Sequence, residues 1–501
     1  MTYFFKQDKK SSGHLYLFYL LTISAFIMLL MGFVPVTAQE NQQIDDQKII
    51  WAIQDALARE DAVSAFLIDV SCTDGIVTLS GTTDNMLSRD KATEVAASIK
   101  GVKSVINNIT ITPLVRSDQE IKYDVEQALL QDAATELYEV DVSVDNKIVR
   151  LKGTVQSWQE KQLVGQVAKS VRGVKGIVNE IDIRYPEKRT DLEIEEEVRK
   201  RLASDVWVDE LLVDVTVQDG NVFLTGTVGS ARERQWAVAD AWVVGVKNVD
   251  ASGLEVQWWA KDDMKKDRQF PLLSDQEIEN AILDALVYDP RVSAFNVQAR
   301  VENGVATLYG TVDNIKAKIS AAEDASNTRG VIRVKNRIRV RPETKVESEN
   351  LEQKVRETLI RDPYIDLYDI AVTVFNGRIF LDGEVNSIFE RQHAEDVVWR
   401  IEGVVNVVNN IDYVPLTMTK SDWELKQDVK DQLFWDPYVD RSEVFMQVED
   451  GEVILTGEVD TWRERVHAED AAYNAGAVDV INKIEVKGFP NFKLDNLDTI
   501  R

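Results

Sequence analysis

The chain has very few of the side chains that usually carry chemistry, with one cysteine and three histidines in 501 residues. The single Cys72 excludes an intramolecular disulfide and a metal site built from cysteines. It falls in a predicted strand, where we expect a small buried apolar residue. No glycine-rich phosphate-binding loop is present. We therefore expect no metal ion and no other cofactor.

Two of the histidines, His393 and His467, occupy equivalent places in two similar acidic stretches. A histidine beside carboxylates can act as a general base. The alternative is a solvated helix face on which charges pair three and four residues apart. Because neither histidine has a nucleophile or a set of metal ligands nearby in the sequence, we favour the solvated face. We predict that the protein is not an enzyme.

Positive charge is also in short supply, since the formal net charge is −27. This balance argues against binding to nucleic acid and against general attraction to anionic lipid. The deficit is uneven along the chain. Residues 275–341 carry 9 acidic and 10 basic residues, whereas residues 421–487 carry 17 and 7. We therefore expect the segments of the chain to present different surfaces.

Repetition is what the sequence has in abundance. A Leu-x-Gly phrase occurs six times, with its glycine at Gly81, Gly153, Gly226, Gly310, Gly383 and Gly457. A second glycine follows each of them by 19 or 20 residues. The spacing of 72 to 84 residues exceeds the period of about 20–50 residues that is typical of solenoids. Six small tandem domains are therefore predicted, and a module copied six times suggests binding or scaffolding.

The N-terminus has the pattern of a secretory signal peptide. Lys6, Lys9 and Lys10 precede an apolar run over residues 15–34, and small residues lead up to Ala38. We predict cleavage after Ala38 and a location in the periplasm. The alternative is an uncleaved segment, residues 15–34, that anchors the protein in the inner membrane, because about 20 apolar residues can span a bilayer.

Each repeat is predicted to have the order α-β-β-α-β, an α+β unit with two helices on one face of a three-stranded sheet. Apolar residues three and four apart, such as Leu351, Val355 and Leu359, predict the first helix. Turns such as Asp219-Gly220 predict a hairpin. The predicted bounds are 43–113, 118–185, 191–257, 275–341, 349–414 and 421–487, with a linker at 258–274.

The second helix is predicted to begin after the Leu-x-Gly phrase. Four repeats carry a capping-box pattern there, at Ser157-x-x-Glu160, Ser230-x-x-Glu233, Ser387-x-x-Glu390 and Thr461-x-x-Glu464. Asn85 and Asn314 are the predicted caps in the other two. The second glycine is predicted to end this helix.

The element order, the Leu-x-Gly phrase and a Gly-Val pair downstream, as at Gly173-Val174, resemble the BON domain. The resemblance covers nearly all of residues 43–487. BON domains occur in bacterial envelope proteins of the OsmY-like and DolP-like kinds. The resemblance implies a non-catalytic envelope protein that binds phospholipid membranes or protein partners and supports envelope integrity or tolerance of osmotic stress.

One segment concentrates positive charge in this acidic chain. Its basic residues are Arg329, Arg333, Lys335, Arg337, Arg339, Arg341 and Lys345. From Arg333 to Arg341 they fall at every second position, which places them on one face of a strand. This face could bind lipid phosphate. It could equally pair with an acidic repeat or protect a sheet edge.

Four tryptophans are the other candidate contacts. Trp158 and Trp462 are predicted to begin second helices, where tryptophan could touch a membrane interface or pack locally. Trp258 and Trp259 lie in the predicted linker beside basic residues and could lie on a lipid surface. Two functions stay open. Either the array binds phospholipid, or it is a periplasmic scaffold in which free sheet faces stack and surfaces recruit other proteins. The oligomeric state is left open.

Overall fold

The computed structural model describes residues 44–135, 138–259, 273–292, 294–342, 347–365, 370–413, 420–439, 441–459 and 461–486. No helix within these ranges is long and apolar enough to cross a membrane. The predicted signal peptide, the alternative anchor at 15–34, most of the predicted linker and Lys345 lie outside the described residues.

The first three repeats share one element order. Repeat 1 contains α1 (Asp46–Arg59), β1 (Ile68–Thr73), β2 (Ile76–Thr83), α2 (Met86–Ala97) and β3 (Ser104–Ile111). Repeat 2 contains α3 (Asp118–Gln131), β4 (Val140–Asp145), β5 (Ile148–Val155), α4 (Trp158–Lys169) and β6 (Gly176–Ile183). Repeat 3 contains α5 (Asp191–Ser204), β7 (Val213–Gln218), β8 (Asn221–Val228), α6 (Ala231–Asp240) and β9 (Asn248–Val256).

The second three repeats follow the same order, with the last strand of repeat 4 in two pieces. Repeat 4 contains α7 (Asp275–Tyr288), β10 (Val297–Glu302), β11 (Val305–Val312), α8 (Ile315–Ser326), β12 (Arg333–Asn336) and β13 (Arg339–Val340). Repeat 5 contains α9 (Ser348–Arg361), β14 (Ile370–Phe375), β15 (Arg378–Val385), α10 (Ile388–Trp399) and β16 (Asn406–Tyr413). Repeat 6 contains α11 (Asp422–Trp435), β17 (Val444–Glu449), β18 (Glu452–Val459), α12 (Trp462–Asn474) and β19 (Asp479–Val486).

In every repeat the second strand is the middle of the sheet. It pairs antiparallel with the first strand through the hairpin and parallel with the third. The hairpin turns need positive φ, as at Asp74 (φ 53°) and Gly75 (φ 77°). Repeat 2 makes the same turn without glycine, and Lys147 takes φ 63°. The predicted α+β class and the α-β-β-α-β order are confirmed.

The Leu-x-Gly phrase has two physical causes. Its leucine is fully buried in each core, as for Leu224 and Leu308. Its glycine lies against the chain at the start of the first strand. A Cβ at Gly226, where φ is 116°, would lie 2.1 Å from the carbonyl oxygen of Leu212. Any side chain there would force the hairpin apart.

The cap predictions hold in part. Asn85 and Asn314 cap the second helices of their repeats as predicted, and Ser157 with Glu160 forms the full capping box. The Ser230 hydroxyl accepts from the Glu233 N–H. The Glu233 carboxylate does not return to the Ser230 N–H but accepts from the backbone N–H groups of Gly229 and Asp209.

Two features of the first helices escaped the sequence reasoning. Four first helices carry full capping boxes, at Ser117, Thr190, Ser274 and Ser421. The first residue of the helix also holds the hairpin turn. Asp46, for example, accepts from the N–H groups of Asp74 (2.8 Å) and Gly75 (3.0 Å). The Cys72 thiol donates to the same carboxylate at 3.2 Å and is half-buried, so the prediction of a buried apolar residue is wrong.

The repeats pair across the two halves of the chain in reverse order. Backbone hydrogen bonds join repeats 2 and 5, where the Ala133 N–H donates to the Arg400 carbonyl at 3.0 Å. The Arg329 N–H donates to the Ser204 carbonyl at 2.8 Å and joins repeats 3 and 4. The Lys100 N–H donates to the Trp435 carbonyl at 3.0 Å and joins repeats 1 and 6. Each pair meets where a first helix ends near the end of a second helix.

Repeats 1, 2 and 3 also form a closed ring through their second helices. Lys169 of repeat 2 forms an ion pair with Asp90 of repeat 1 at 2.6 Å. Trp158 of repeat 2 stacks on Trp242 of repeat 3, with centroids 5.6 Å apart. Arg234 of repeat 3 donates to the Lys103 carbonyl of repeat 1 at 3.1 Å, which closes the ring. These contacts come from helices and the loops after them, whereas the scaffold alternative expected sheet faces to stack.

Candidate functional site

The predicted basic row of repeat 4 lies on the face of the sheet that points away from the helices. On the helix side, Val334 and Ile338 are buried, and Asn336 donates to the Lys318 carbonyl in α8 at 2.7 Å. The residues between them point outward. Lys335, Arg337, Arg339 and Arg341 are exposed and Arg333 is half-buried. The sheet thus presents a row of cations on one solvent-facing surface.

The cationic face consists of Arg333, Lys335, Arg337, Arg339 and Arg341, and its last four members are not neutralised by the described residues around them. Those residues form no ion pair with the last four members. Arg337 lies 6.0 Å from the ring centroid of Tyr309, an exposed residue of β11 on the same face. From Lys335 to Arg341 the row spans about 20 Å, at roughly 3.3 Å per residue.

Repeat 6 shows how unusual the cationic face is. The equivalent outward positions of β19 hold Asp479, Ile481, Lys483 and Glu485. Two carboxylates, one apolar side chain and one cation therefore replace the basic row, so the common fold does not require it.

Arg329 does not belong to the cationic face. Its guanidinium donates to the carbonyl oxygens of Asp205 (3.3 Å) and Val208 (3.2 Å) in repeat 3. This arginine joins two repeats, and the sequence grouping of Arg329 with the strand residues is therefore corrected.

The four tryptophan candidates are half-buried, and three of them have described ring contacts in the protein. Trp158 stacks on Trp242 as part of the ring. Trp462 covers the guanidinium of Arg465 at 4.7 Å. Lys100 lies 5.4 Å from the ring of Trp258, and Trp259 follows it at the end of the described segment.

Other residues at the same helix start also pack between repeats. Met86 is part of the core of repeat 2, and Ile315 packs on the core of repeat 5. The apolar start of the second helix therefore serves contacts between repeats, and we do not carry Trp158 forward as a membrane contact.

The two histidines are inside the assembly of repeats, so the prediction of a solvated face is wrong. His393 Nε2 lies 2.9 Å from Asp362 Oδ2, and His467 Nδ1 lies 3.0 Å from Asp436 Oδ2. Burial alone would raise the pKa of Asp436, but the charge and hydrogen bond of His467 hold this pKa below its ordinary value.

A tyrosine two residues after each aspartate extends these pairs to a neighbouring repeat. The Tyr364 hydroxyl lies 3.1 Å from Ser88 Oγ, and the Tyr438 hydroxyl lies 3.2 Å from Ser230 Oγ. The sequence did carry a signal, because Asp-Pro-Tyr precedes histidine by the same 31 residues in both repeats.

The structure contains two cavities that each lie where three repeats meet, at equivalent places in the arrangement. The first, called junction 1-2-5 after its repeats, has a volume of about 300 Å³. The second, junction 2-3-4, has a volume of about 370 Å³. Counted from the start of each helix, many of their lining residues occupy equivalent positions. Ala128, Val167, Arg361 and Val397 in the first stand where Arg201, Asp240, Tyr288 and Asp324 stand in the second.

Junction 2-3-4 is strongly acidic. Its lining includes Glu197, Asp205, Asp240, Asp284, Asp289 and Asp324 against Lys200, Arg201 and Arg291. Each cation already has a carboxylate partner. Arg201 pairs with Asp240 at 2.9 Å, Arg291 pairs with Asp289 at 2.6 Å, and Lys200 pairs with Asp284.

Two carboxyl groups of junction 2-3-4 have no cation bonded to them among the described residues. Burial, reinforced by the charge of Asp240, raises the pKa of Asp205 well above its ordinary value. Burial and the charge of Asp289 do the same to the pKa of Asp324. Asp240 Oδ2, Asp324 Oδ2 and Asn327 Oδ1 are shielded from solvent without a described hydrogen-bond donor.

Junction 1-2-5 is less acidic, and its lining includes Asp90, Glu94, Asp132 and Asp362 against Lys91, Arg361 and Arg400. The atoms left without a described partner there are donors, Nε of Arg361 and Nε of Arg400. Burial would raise the pKa of Asp396, but Arg400 and Lys316 hold it well below its ordinary value. Within the described residues, no group of three or more His, Cys, Asp or Glu side chains could hold a metal ion.

Comparison with known proteins agrees with the fold. The BON domain model matches residues 45–113, 117–185, 190–257, 274–342, 347–415 and 421–488. Osmotically-inducible protein Y of Escherichia coli (strain K12) is 27% identical over 145 residues, which cover 28% of this chain and 72% of that protein. The outer membrane lipoprotein DolP of Haemophilus influenzae is 29% identical over 143 residues, which cover 28% of this chain and 74% of DolP.

A third relative is the 21 kDa hemolysin of Actinobacillus pleuropneumoniae, which is 27% identical over 145 residues, 28% of this chain and 73% of the hemolysin. The six matches to the BON model span well over half of the sequence, and the resemblance recognised from the repeats is confirmed. This chain belongs to the BON domain family.

Proposed function

We propose that this protein is an exported, periplasmic, non-catalytic BON array that docks on anionic phospholipid surfaces and supports the envelope under osmotic stress. The observation that carries the proposal is the cationic face of repeat 4, an exposed row of basic residues in a chain of net charge −27. The relatives support the setting, since one is named as osmotically inducible and another as an outer membrane lipoprotein.

The cationic face suits a flat anionic surface for three reasons. It lies on a sheet, so its side chains share one plane. Lys335, Arg337, Arg339 and Arg341 are exposed and not held in ion pairs by the described residues. Each basic residue near an anionic membrane contributes about 1 kcal/mol of attraction. Four of them supply about 4 kcal/mol, enough for reversible docking that salt weakens.

The test is co-sedimentation of residues 39–501 with vesicles of neutral or anionic phospholipid at low and high salt. This segment contains every described residue and leaves out the apolar leader, which would itself insert into lipid. We expect binding to anionic vesicles that falls as salt rises. Reversing three charges in K335E/R337E/R339E should abolish it.

The matched control is R150E/K152E/R184E, which makes the same change in net charge on the exposed sheet face of repeat 2. It should bind vesicles nearly as well as the parent protein. Equal loss in both variants would mean that net charge, not the cationic face, governs binding. Absence of vesicle binding under every condition would leave the scaffold alternative, in which envelope proteins are the partners.

A further inference from the structure

The outward sheet face of repeat 6 carries charge of the opposite sign to the cationic face of repeat 4. Five carboxylates lie there on β17, β18 and β19, at Glu449, Glu452, Glu458, Asp479 and Glu485. The described residues form no ion pair with any of the five. Among the described residues of these strands, Lys483 is the one outward cation. This acidic face (the five carboxylates) therefore keeps a net negative charge.

The acidic face also exposes apolar side chains between its carboxylates. Phe445 on β17 is 63% exposed, and Ile481 on β19 is paired with Ile454 of the middle strand. Carboxylate pairs flank this apolar strip at both ends of the sheet, Glu452 with Asp479 and Glu458 with Glu485. Because removing apolar surface from water is favourable, contact with another protein surface would stabilise the strip.

The acidic face and the cationic face have the same length. Lys335 and Arg341 are six residues apart in repeat 4, which is about 20 Å along a strand. Asp479 and Glu485 have the same separation on β19. Tyr309 adds an exposed aromatic ring to the cationic face. A three-stranded face of this length buries on the order of 300 Å² per copy, an area typical of weak and reversible contacts.

Both faces are exposed to solvent within a single chain, so repeat 6 does not cover repeat 4 of the same molecule. We propose that the acidic face of repeat 6 docks on the cationic face of repeat 4 of a second copy of this chain. The formal net charge of −27 makes two copies repel each other at a distance. At physiological salt, charges more than about 8 Å apart are largely screened, so the complementary charges that touch decide the outcome.

This contact regulates the docking on lipid, and that consequence rests on the function proposed above. A cationic face that is covered by a second copy cannot touch a membrane. Because two different surfaces meet, copies join head to tail. The copy at one end of such a row keeps its cationic face free, and the row docks on an anionic surface by that end.

The experiment is sedimentation equilibrium of residues 39–501 over a series of protein concentrations, at physiological and at high salt. We expect the average mass of the parent protein to rise with concentration, and this association to weaken as salt rises. Reversal of one face, in E458K/D479K/E485K or in K335E/R337E/R339E, should weaken association by about tenfold or more, because like charges then meet. Combining both reversals in one chain restores opposite signs and should restore association.

A mixture of the two single-face variants should also associate, because each supplies the face that the other has lost. The control D141K/D145K/D182K makes the same change in net charge as E458K/D479K/E485K, on the exposed sheet face of repeat 2, and should associate like the parent. A parent protein that stays monomeric at every concentration would overturn the proposal. Undiminished association in either single-face variant, equal loss in the control, or a mixture that fails to associate would do the same.

Vesicle binding separates this proposal from the proposed function. The variant E458K/D479K/E485K keeps its cationic face and should bind anionic vesicles at least as well as the parent protein. Vesicle binding by a parent protein that does not self-associate would overturn the docking between copies and leave the lipid function standing. Self-association without vesicle binding would leave the docking between copies standing and remove its role in controlling access to lipid.

Discussion

Junctions 1-2-5 and 2-3-4 are built from equivalent helices in the same arrangement, yet junction 2-3-4 has the more acidic lining. Among the described residues, junction 2-3-4 leaves acceptors of Asp240 and Asp324 and donors of Arg201 without partners. Junction 1-2-5 leaves donors of Arg361 and Arg400. The backbone contacts that form the two junctions are nevertheless alike, with Ala133 to Arg400 in one pair and Val206 to Asn327 in the other. The main chain fixes the assembly of the repeats, and the side chains at a few positions fix the charge of each junction.

The largest effect is expected from breaking the ion pair that only junction 2-3-4 has. Arg201→Ala leaves Asp240 buried without its cation and should cost about 3–5 kcal/mol of the free energy of unfolding. R201A/D240V recreates the Ala128 and Val167 combination of the other junction and should recover most of that loss. Denaturant unfolding of both variants measures the difference. Failure of the second change to restore stability would mean that the junctions are not interchangeable.

A smaller loss is expected from the histidine that only junction 1-2-5 has. His393→Ser installs the residue that repeat 4 has at this position, Ser320, and removes the hydrogen bond to the buried Asp362. The loss should be about 2 kcal/mol, the cost of a buried group without its partner. As the control, Ser320→Ala should change the free energy of unfolding by less than about 0.5 kcal/mol, since its hydroxyl has no described partner. Equal losses of stability in the two variants would contradict the stabilising role of the hydrogen bond between His393 and Asp362.

The pH dependence of the two junctions should also differ. Because the folded-state pKa of Asp205 is raised above 3.8, its protonated form stabilises the fold below about pH 3.8, and this contribution is lost as pH rises through the raised value. Asp205→Asn should therefore increase stability at neutral pH by about 1 kcal/mol and give no gain in acid.

Asp132 of junction 1-2-5 provides the matched comparison for this pH effect. Burial raises its pKa as well, but the charges of Arg400 and Lys316 oppose the rise. Asp132→Asn should give a smaller gain at neutral pH than Asp205→Asn, measured as unfolding midpoints across the pH range. A larger gain at Asp132 would show that Arg400 and Lys316 do not compensate its carboxylate.

The smallest effect is expected at the rim of junction 2-3-4. Lys200 and Asp284 form an exposed ion pair, which is typically worth less than about 1 kcal/mol. Lys200→Ala should lower the unfolding midpoint slightly at low salt and not at all at high salt, because screening removes what the pair contributes. A loss that persists at high salt would place this lysine in the packing of the junction.

The sequence predicted what depends on neighbours along the chain. The α-β-β-α-β order of each repeat was predicted from periodicity, the Asp-Gly turns and the caps at Asn85 and Asn314. This was possible because helices and hairpins are determined by residues a few places apart. The outward row from Arg333 to Arg341 was also predictable, since alternation along a strand is a local property.

The pairing of the repeats could not be predicted from such local sequence patterns. It depends on contacts such as Ala133 with Arg400, which join residues far apart in the sequence and use backbone atoms that every residue has. The same distance concealed the role of Trp158, which stacks on Trp242 of another repeat, and the setting of His393, which lines a cavity shared with two other repeats. The sequence around a hydrophobic or charged residue looks the same whether that residue faces solvent or contacts a distant repeat.

The reversed pairing of the repeats sets an order of assembly. Repeats 3 and 4 are neighbours along the chain, so their contact closes the shortest loop, whereas Lys100 of repeat 1 must wait for Trp435 of repeat 6. During synthesis from the N-terminus, the first three repeats fold while the faces they will share with the last three are still uncovered. We therefore expect the pairs of repeats to form from the middle of the chain outward. Repeat 1 is synthesised first and is covered last.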